Sequence, residues 1–128
     1  INEYKKKVSK NKFRFFISTF NKFFENNKKK YDFIYDGASL QHQKLIDIKK
    51  SYKLIYLSLK KGGYFLTIHL LSYKKINDNN FFVTKLNKKK IISLLKREKF
   101  KNIDYNIQYY TENNSKNFIK FSVISAKK

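Results

Sequence analysis

The sequence predicts an α/β fold, and three observations carry that prediction. Residues 31–42 read YDFIYDGASLQH, a short apolar run closed by a polar, glycine-bearing turn. Residues 59–69 read LKKGGYFLTIH, a glycine pair leading into the most apolar stretch of the chain. Between them Ile48, Tyr52, Ile55 and Leu59 recur at spacings of four, three and four, one face of a helix. A strand, a helix and a second strand in that order imply parallel pairing, and parallel sheets of this kind place ligands at the carboxyl ends of their strands. The third observation lies at the far end. Residues 100–110 and 117–126 read as strands on either side of TENNSK, which is turn chemistry, and so predict an antiparallel hairpin.

The remaining elements follow in order. Residues 2–10 read as the end of a helix, with Tyr4 and Val8 on one side. Residues 12–18 (KFRFFIS) alternate aromatic and β-branched side chains against basic ones and predict a strand. Residues 20–24 form a short apolar patch without a decisive period, and residues 26–30 a polar loop. The strand over residues 31–35 stops at Asp36-Gly37, and a helix is expected over residues 44–59, its other side covered by Lys49, Lys50, Lys53 and Lys60. Gly62-Gly63 is expected to end that helix and turn the chain. Residues 64–71 then read as a central strand buried on both faces, and residues 72–80 as a polar loop. Asn87 is a natural N-cap for a helix over residues 88–99 that turns Ile91, Leu94 and Leu95 inward.

Composition bounds the function. A chain of 128 residues with 41% apolar and 18% aromatic content supports one compact domain with a core. There is no cysteine, which excludes disulfides and thiolate metal sites. No apolar run is long enough to cross a bilayer, and the charged start INEYKKKVSK leads into no apolar stretch, so the expectation is a soluble, cytoplasmic protein without a membrane partner. A first residue that is isoleucine leads to the expectation that the chain was cut from something longer. The net charge of +21 admits two readings. One is a nonspecific attraction for nucleic acid or anionic lipid. The other is an AT-rich coding sequence: Arg14 and Arg97 are the only arginines, and the lysines are spread through the chain beside many Asn, Ile, Phe and Tyr. Arginine, with its bidentate fork, is the favoured residue for specific phosphate and base contacts, which tips the balance toward the compositional reading.

The order of elements resembles the carboxyl-terminal half of the class I S-adenosylmethionine-dependent methyltransferases. YDFIY at residues 31–35 is similar to that family's fourth strand, and Asp36-Gly37-Ala38-Ser39-Leu40-Gln41-His42 to the loop that follows it. LKKGGYFL at residues 59–66 resembles the turn into the fifth strand, with Lys61 where proline is usual. Residues 86–103 resemble the fifth helix and the start of the sixth strand, with Glu98-Lys99-Phe100 where a small residue, glycine and phenylalanine are common. Residues 13–25 resemble the third strand and the loop near the cofactor's adenine. The resemblance implies one domain over residues 1–128, a Rossmann-like sheet truncated at its N-terminus, holding the third to seventh strands. The family's strand order is third-second-first-fourth-fifth-seventh-sixth with the last strand antiparallel. It implies S-adenosyl-L-methionine as cofactor of the intact protein and an unknown methyl acceptor.

The glycine-rich turn that holds the cofactor in this family has no counterpart here. The only glycines are Gly37, Gly62 and Gly63, and the acidic residue that binds the ribose is missing too. The expectation is that this piece alone does not turn over. By the resemblance, Thr19, Phe20, Asp36, Gly37 and Ala38 would face the cofactor. Read as residues, Asp36 has a second role open to it, that of an Asx turn ending the strand. His42 is the candidate catalytic base, since a pKa of about 6.5 suits proton transfer at neutral pH, with a partly buried structural histidine as the alternative. His69 is placed to point toward the same end of the sheet or into the core. Two histidines with scattered acids predict no metal site. A rival reading is a small basic nucleic-acid-binding module without catalysis, in which Tyr109-Tyr110 and Phe81-Phe82 stack on bases rather than pack a lysine-rich surface.

Overall fold

The computed structural model describes residues 17–72, 83–111 and 118–128. In chain order these form helix α1 (Phe20–Asn26), strand β1 (Tyr31–Asp36), a 3-10 turn (Leu40–His42), helix α2 (Leu45–Ser58) and strand β2 (Leu59–Ser72). Helix α3 (Lys88–Arg97) and strands β3 (Lys101–Thr111) and β4 (Phe118–Lys127) complete them. The four strands make one open sheet in the order β1-β2-β4-β3. Strand β2 runs parallel to β1, and β4 is antiparallel to both β2 and β3. This is the order expected for the fourth, fifth, seventh and sixth strands.

Helix α2 forms where the apolar period predicts it and buries Ile48, Tyr52 and Ile55 against the sheet, but Leu59, expected as the last residue of that face, instead opens β2, buried in the same core. Tyr52 meets Phe65 of β2 edge-on at 5.7 Å between ring centroids, and Tyr56 meets Phe100 at 5.1 Å. Helix α3 adds Ile91, Leu94 and Leu95 to the same cluster. Fully burying a side chain of this size contributes about 1.5–3 kcal/mol, so this shared cluster is the main source of stability. Asn87 caps α3 as expected, its Oδ1 accepting the Lys90 N–H at 2.8 Å. The other end closes with the Phe100 N–H on the Leu95 carbonyl and the Lys99 N–H on the Lys96 carbonyl, a Schellman closure. Lys99 occupies its left-handed position with φ 68°, where glycine would sit without strain.

Among the described residues helices α2 and α3 pack on one side of the sheet, and α1 packs against α2. The rows under them are buried: Ile34 and Asp36 on β1, Phe65, Thr67 and His69 on β2, Ser122, Ile124 and Ala126 on β4. The alternate rows face the other way. There Phe33, Tyr35 and Tyr64 are 54%, 55% and 45% exposed, while Leu66, Ile68, Leu70 and Val123 are half-buried. Strand β2 is therefore buried on one face, not on both as expected, because helical cover lies on that face only among the described residues.

Three further expectations change. Residues 20–24 prove to be helical and with residues 25–26 form α1, where the resemblance suggested a loop. Phe20 and Phe24, four apart, stack at 4.8 Å and pack on the core, which selects a helical turn. Of the expected strand over residues 12–18, Ile17 and Ser18 are not in a strand, and residues 12–16 lie outside the described residues, as do residues 2–10, Phe81-Phe82 and residues 73–80 of the expected loop. The glycine pair does not stand between helix and strand. It lies inside β2 as a bulge, with Tyr31 level with Leu59 but Phe33 level with Tyr64. Gly62 has φ +81°, and a Cβ on Gly63 would come within 3.0–3.1 Å of the carbonyl oxygens of Asp32, Lys60 and Tyr31. No described helix is long and apolar enough to cross a membrane.

Candidate functional site

The carboxyl end of β1 is Asp36, which lies side by side with Thr67 in the carboxyl half of β2. The Asp36 carboxylate is 2% exposed and is enclosed by donors. Its Oδ1 accepts the backbone N–H of Ser39 at 2.8 Å and of Leu40 at 3.2 Å, together with the Ser39 hydroxyl. Its Oδ2 accepts the Thr67 hydroxyl at 2.8 Å. A carboxylate out of water is tolerated only when bonded in this way. The consequence is a fixed loop: Asp36 reaches over Gly37 and Ala38 and holds the chain beyond them, with Ala38 in the left-handed region at φ 68°. A non-glycine residue there costs about 1–2 kcal/mol, offset by the bonds to Asp36. Gly37 is exposed and Ala38 half-buried, so the tip of the loop faces outward while its base is wired down.

Beneath this loop Tyr52 is fully buried, and burial first, then the Asp36 charge, holds its phenol well above the ordinary tyrosine range. The 3-10 turn follows, with Leu40 and Gln41 inward and His42 exposed. Gln41 ties the turn to β2, its Oε1 accepting the Leu70 N–H at 2.6 Å. The stretch leading into α3 then crosses over the turn. The Thr84 N–H donates to the Gln41 carbonyl at 2.8 Å, and the Thr84 hydroxyl to the Gln43 carbonyl. His69 completes this clasp by donating Nε2–H to the Thr84 carbonyl at 2.8 Å, which fixes that ring nitrogen as protonated. Burial lowers the His69 pKa from its ordinary value and the nearby His42 lowers it further; the Thr84 bond and the Asp36 charge oppose this.

Helix α1 starts at this same end. The Ser51 hydroxyl lies 2.7 Å from Asn21 Oδ1 and 2.9 Å from Gln43 Oε1, joining the first turn of α1 to the segment after the 3-10 turn. Thr19, at the N-cap of α1, is exposed. Phe20 turns its ring onto Phe24 and the core.

Of the residues singled out in the sequence, Asp36, Gly37, Ala38 and His42 thus share one loop and His69 stands on the adjoining strand. Thr19 is at the same end on a separate element, and Phe20 packs inward. Thr67, Gln41 and Thr84, which do most of the wiring, were not singled out. The available signal was Thr67, a hydroxyl on the buried row of an apolar strand, two residues before His69. Among the described residues no group of three or more His, Cys, Asp or Glu could hold a metal ion.

No family model and no curated protein matches the chain. Solved structures do. A SAM-dependent methyltransferase from Archaeoglobus fulgidus superimposes with a TM-score of 0.70 at 13% identity, over 93% of this chain and 69% of that one. TehB from Haemophilus influenzae gives a TM-score of 0.68 at 18% identity over 99% of this chain, which spans 44% of TehB. The 1,6-didemethyltoxoflavin-N1-methyltransferase of Burkholderia thailandensis, solved with 1,6-didemethyltoxoflavin and S-adenosylhomocysteine, gives 0.62 at 18% identity over 80% of this chain and 46% of that one. The open sheet, its strand order and its helices are those of the class I S-adenosylmethionine-dependent methyltransferase fold, in its carboxyl-terminal part.

Proposed function

We propose that this chain is the acceptor-side part of an S-adenosylmethionine-dependent methyltransferase, with the Asp36–His42 loop lining the site of methyl transfer. The observation that carries the reading is the wired loop at the carboxyl end of β1, the place where an open parallel sheet binds its ligands. Its tip, with Gly37 exposed and Ala38 half-buried, offers backbone to a ligand, and the residues there suit one wall of a cofactor cleft. They do not suit the whole of it, since each of the three glycines is already spent on the loop and the β2 bulge. S-adenosyl-L-methionine, when bound, supplies an electrophilic methyl group.

The chain's own residues position and exclude. Asp36 acts through Ser39, Leu40 and Thr67 and holds the loop in one shape, so its role is positioning. His42, exposed at the end of the 3-10 turn, is the residue able to take a proton from an acceptor. Thr19, at the start of α1, and the loop tip form the rim, and residues 83–86 close one side through Thr84. The rival of a basic module without catalysis draws on the same charge, but leaves this fold and loop without a use.

The test is to tag the chain at Lys128 in its own cells, recover it with whatever it is joined to, and irradiate it with methyl-labelled S-adenosylmethionine. Label in the recovered material that is displaced by S-adenosylhomocysteine supports the reading. Absence of label at saturating cofactor overturns it.

A further inference from the structure

The rows of the sheet that contain the candidate site continue sideways into a surface that the methyl-transfer reading does not use. Thr67 of β2 lies level with Ile124 of β4 and Tyr105 of β3. His69 lies level with Ser122 and then Ile107. One step further out, Lys120 lies level with Tyr109. Side chains alternate along a strand, so Tyr105, Ile107 and Tyr109 stand on the same side of the sheet as His69. Two strand spacings, about 10 Å, separate His69 from Ile107.

These residues become steadily more open outward: Tyr105 is half-buried, Ile107 is 42% exposed and Tyr109 60%. Two of the rings carry a lysine. Lys88 Nζ lies 5.3 Å from the Tyr105 centroid and Lys120 Nζ 5.9 Å from that of Tyr109. Lys88 also begins α3, whose outer side forms an open depression of about 610 Å³ lined by Lys88, Lys89, Ile92, Ser93 and Lys96. Residues 83–97 hold no acidic side chain at all. The exposed Tyr109 ring with the Lys120 ammonium over it offers a platform for a base, and the lysines of α3, which reach this face through Lys88 over Tyr105, offer point charges for successive phosphates.

We propose that the methyl acceptor is a single-stranded nucleic acid, whose flanking nucleotides stack on Tyr109 and Ile107 while its backbone follows Lys120, Lys88, Lys89 and Lys96. The proposal rests on the methyl-transfer reading for the word acceptor, but its binding surface stands on its own. A surface charged only by coding bias would be indifferent to which lysines are removed. The proposal instead requires dependence on those beside the rings. Stacking also separates it from an anionic lipid surface, which needs no aromatic platform.

The test is fluorescence anisotropy of an oligothymidylate of about 15 nucleotides with the full chain, across a salt series. The expected result is saturable binding that weakens with salt. Tyr109→Ala should weaken it about 5- to 150-fold, the range for loss of one stacked base, while Tyr109→Phe retains it. The pair Lys88→Ala/Lys120→Ala should flatten the salt slope by about 1.4, two contacts at about 0.7 each. Lys28→Ala/Lys29→Ala, in the loop ahead of β1 at the opposite end of the sheet, should change nothing. Crosslinking of a 4-thiothymidine oligonucleotide should mark β3, which keeps the test decisive if the Tyr109→Ala chain folds poorly. The proposal is overturned if Tyr109→Ala binds like the parent, if the Lys28/Lys29 pair matters as much as the Lys88/Lys120 pair, or if phosphatidylserine vesicles displace the oligonucleotide. Binding needs no cofactor, so its failure would leave methyl transfer to another acceptor intact. Failure of cofactor labelling would conversely leave the oligonucleotide result standing.

Discussion

The two faces of the sheet are unequal. Under the helices, Phe65, Ile55, Ile91, Leu95 and Ile124 are fully buried, and polar groups such as Asp36, Thr67 and His69 are carried inside with partners in place. On the opposite face Phe33, Tyr35 and Tyr64 stand about half exposed. The same strands supply both rows, so the difference comes from what lies above them and not from local propensity. The contrast teaches that, among the described residues, the core and the bonded Asp36 loop are both built on the helix-covered side of the sheet.

The comparison breaks most easily in the core. Ile55→Ala or Leu95→Ala should cost about 2–5 kcal/mol, whereas Tyr35→Ala on the open face should stay within about 0.5 kcal/mol, both read from urea unfolding. Equal losses at Tyr35 and Ile55 would mean that the two faces are equally packed. Next in size is the loop. Asp36→Ala leaves the Thr67 hydroxyl and the Ser39 and Leu40 N–H groups without their acceptor and should cost about 2–3 kcal/mol, with Thr67→Val near 1 kcal/mol. A loss confined to Asp36→Ala would mean that Thr67 does not help to hold the carboxylate.

A pH prediction tests the buried histidine. Burial holds the folded pKa of His69 below the ordinary histidine value of about 6.5, so the unfolded chain binds the proton more readily. Its contribution is complete above about 6.5 and declines as pH falls through and below that value. Urea midpoints should therefore drop on acidification more steeply in the parent than in His69→Gln. A parent that gains stability on acidification relative to that variant would reverse the sign. The smallest effect sharpens the picture from the other side. Lys99→Gly should stabilise by about 1 kcal/mol by relieving the left-handed strain at the end of α3, as seen in a raised melting temperature.

Much of this architecture was legible in the residues, and the gaps have physical causes. Helix α2 follows from the recurrence of Ile48, Tyr52 and Ile55, and the hairpin from two β-rich runs around a turn. The strand order followed from the family resemblance, since pattern alone does not choose which strand β4 joins. Helix α1 was not legible because FNKFFEN has no decisive period; Phe20 and Phe24 become one face only once there is a core to meet. The Gly62-Gly63 pair was expected to end the helix and turn the chain, and its place inside β2 was not legible because it depends on the carbonyls of Tyr31 and Asp32, which are remote in sequence. Asp36 was open to two roles, and only the register that sets it beside Thr67 shows its carboxylate taken up in holding the loop to β2. The clasp of Gln41, His69 and Thr84 is invisible before folding because it joins three separate segments.

The most direct measurement is a calorimetric titration of S-adenosylmethionine into the 128-residue chain. Because the proposed function gives the Asp36–His42 loop only one wall of the cleft and the sequence holds no glycine-rich turn for the other, the account predicts no saturable heat up to about 1 mM cofactor. A saturable isotherm with a Kd of about 1 µM or tighter would contradict it.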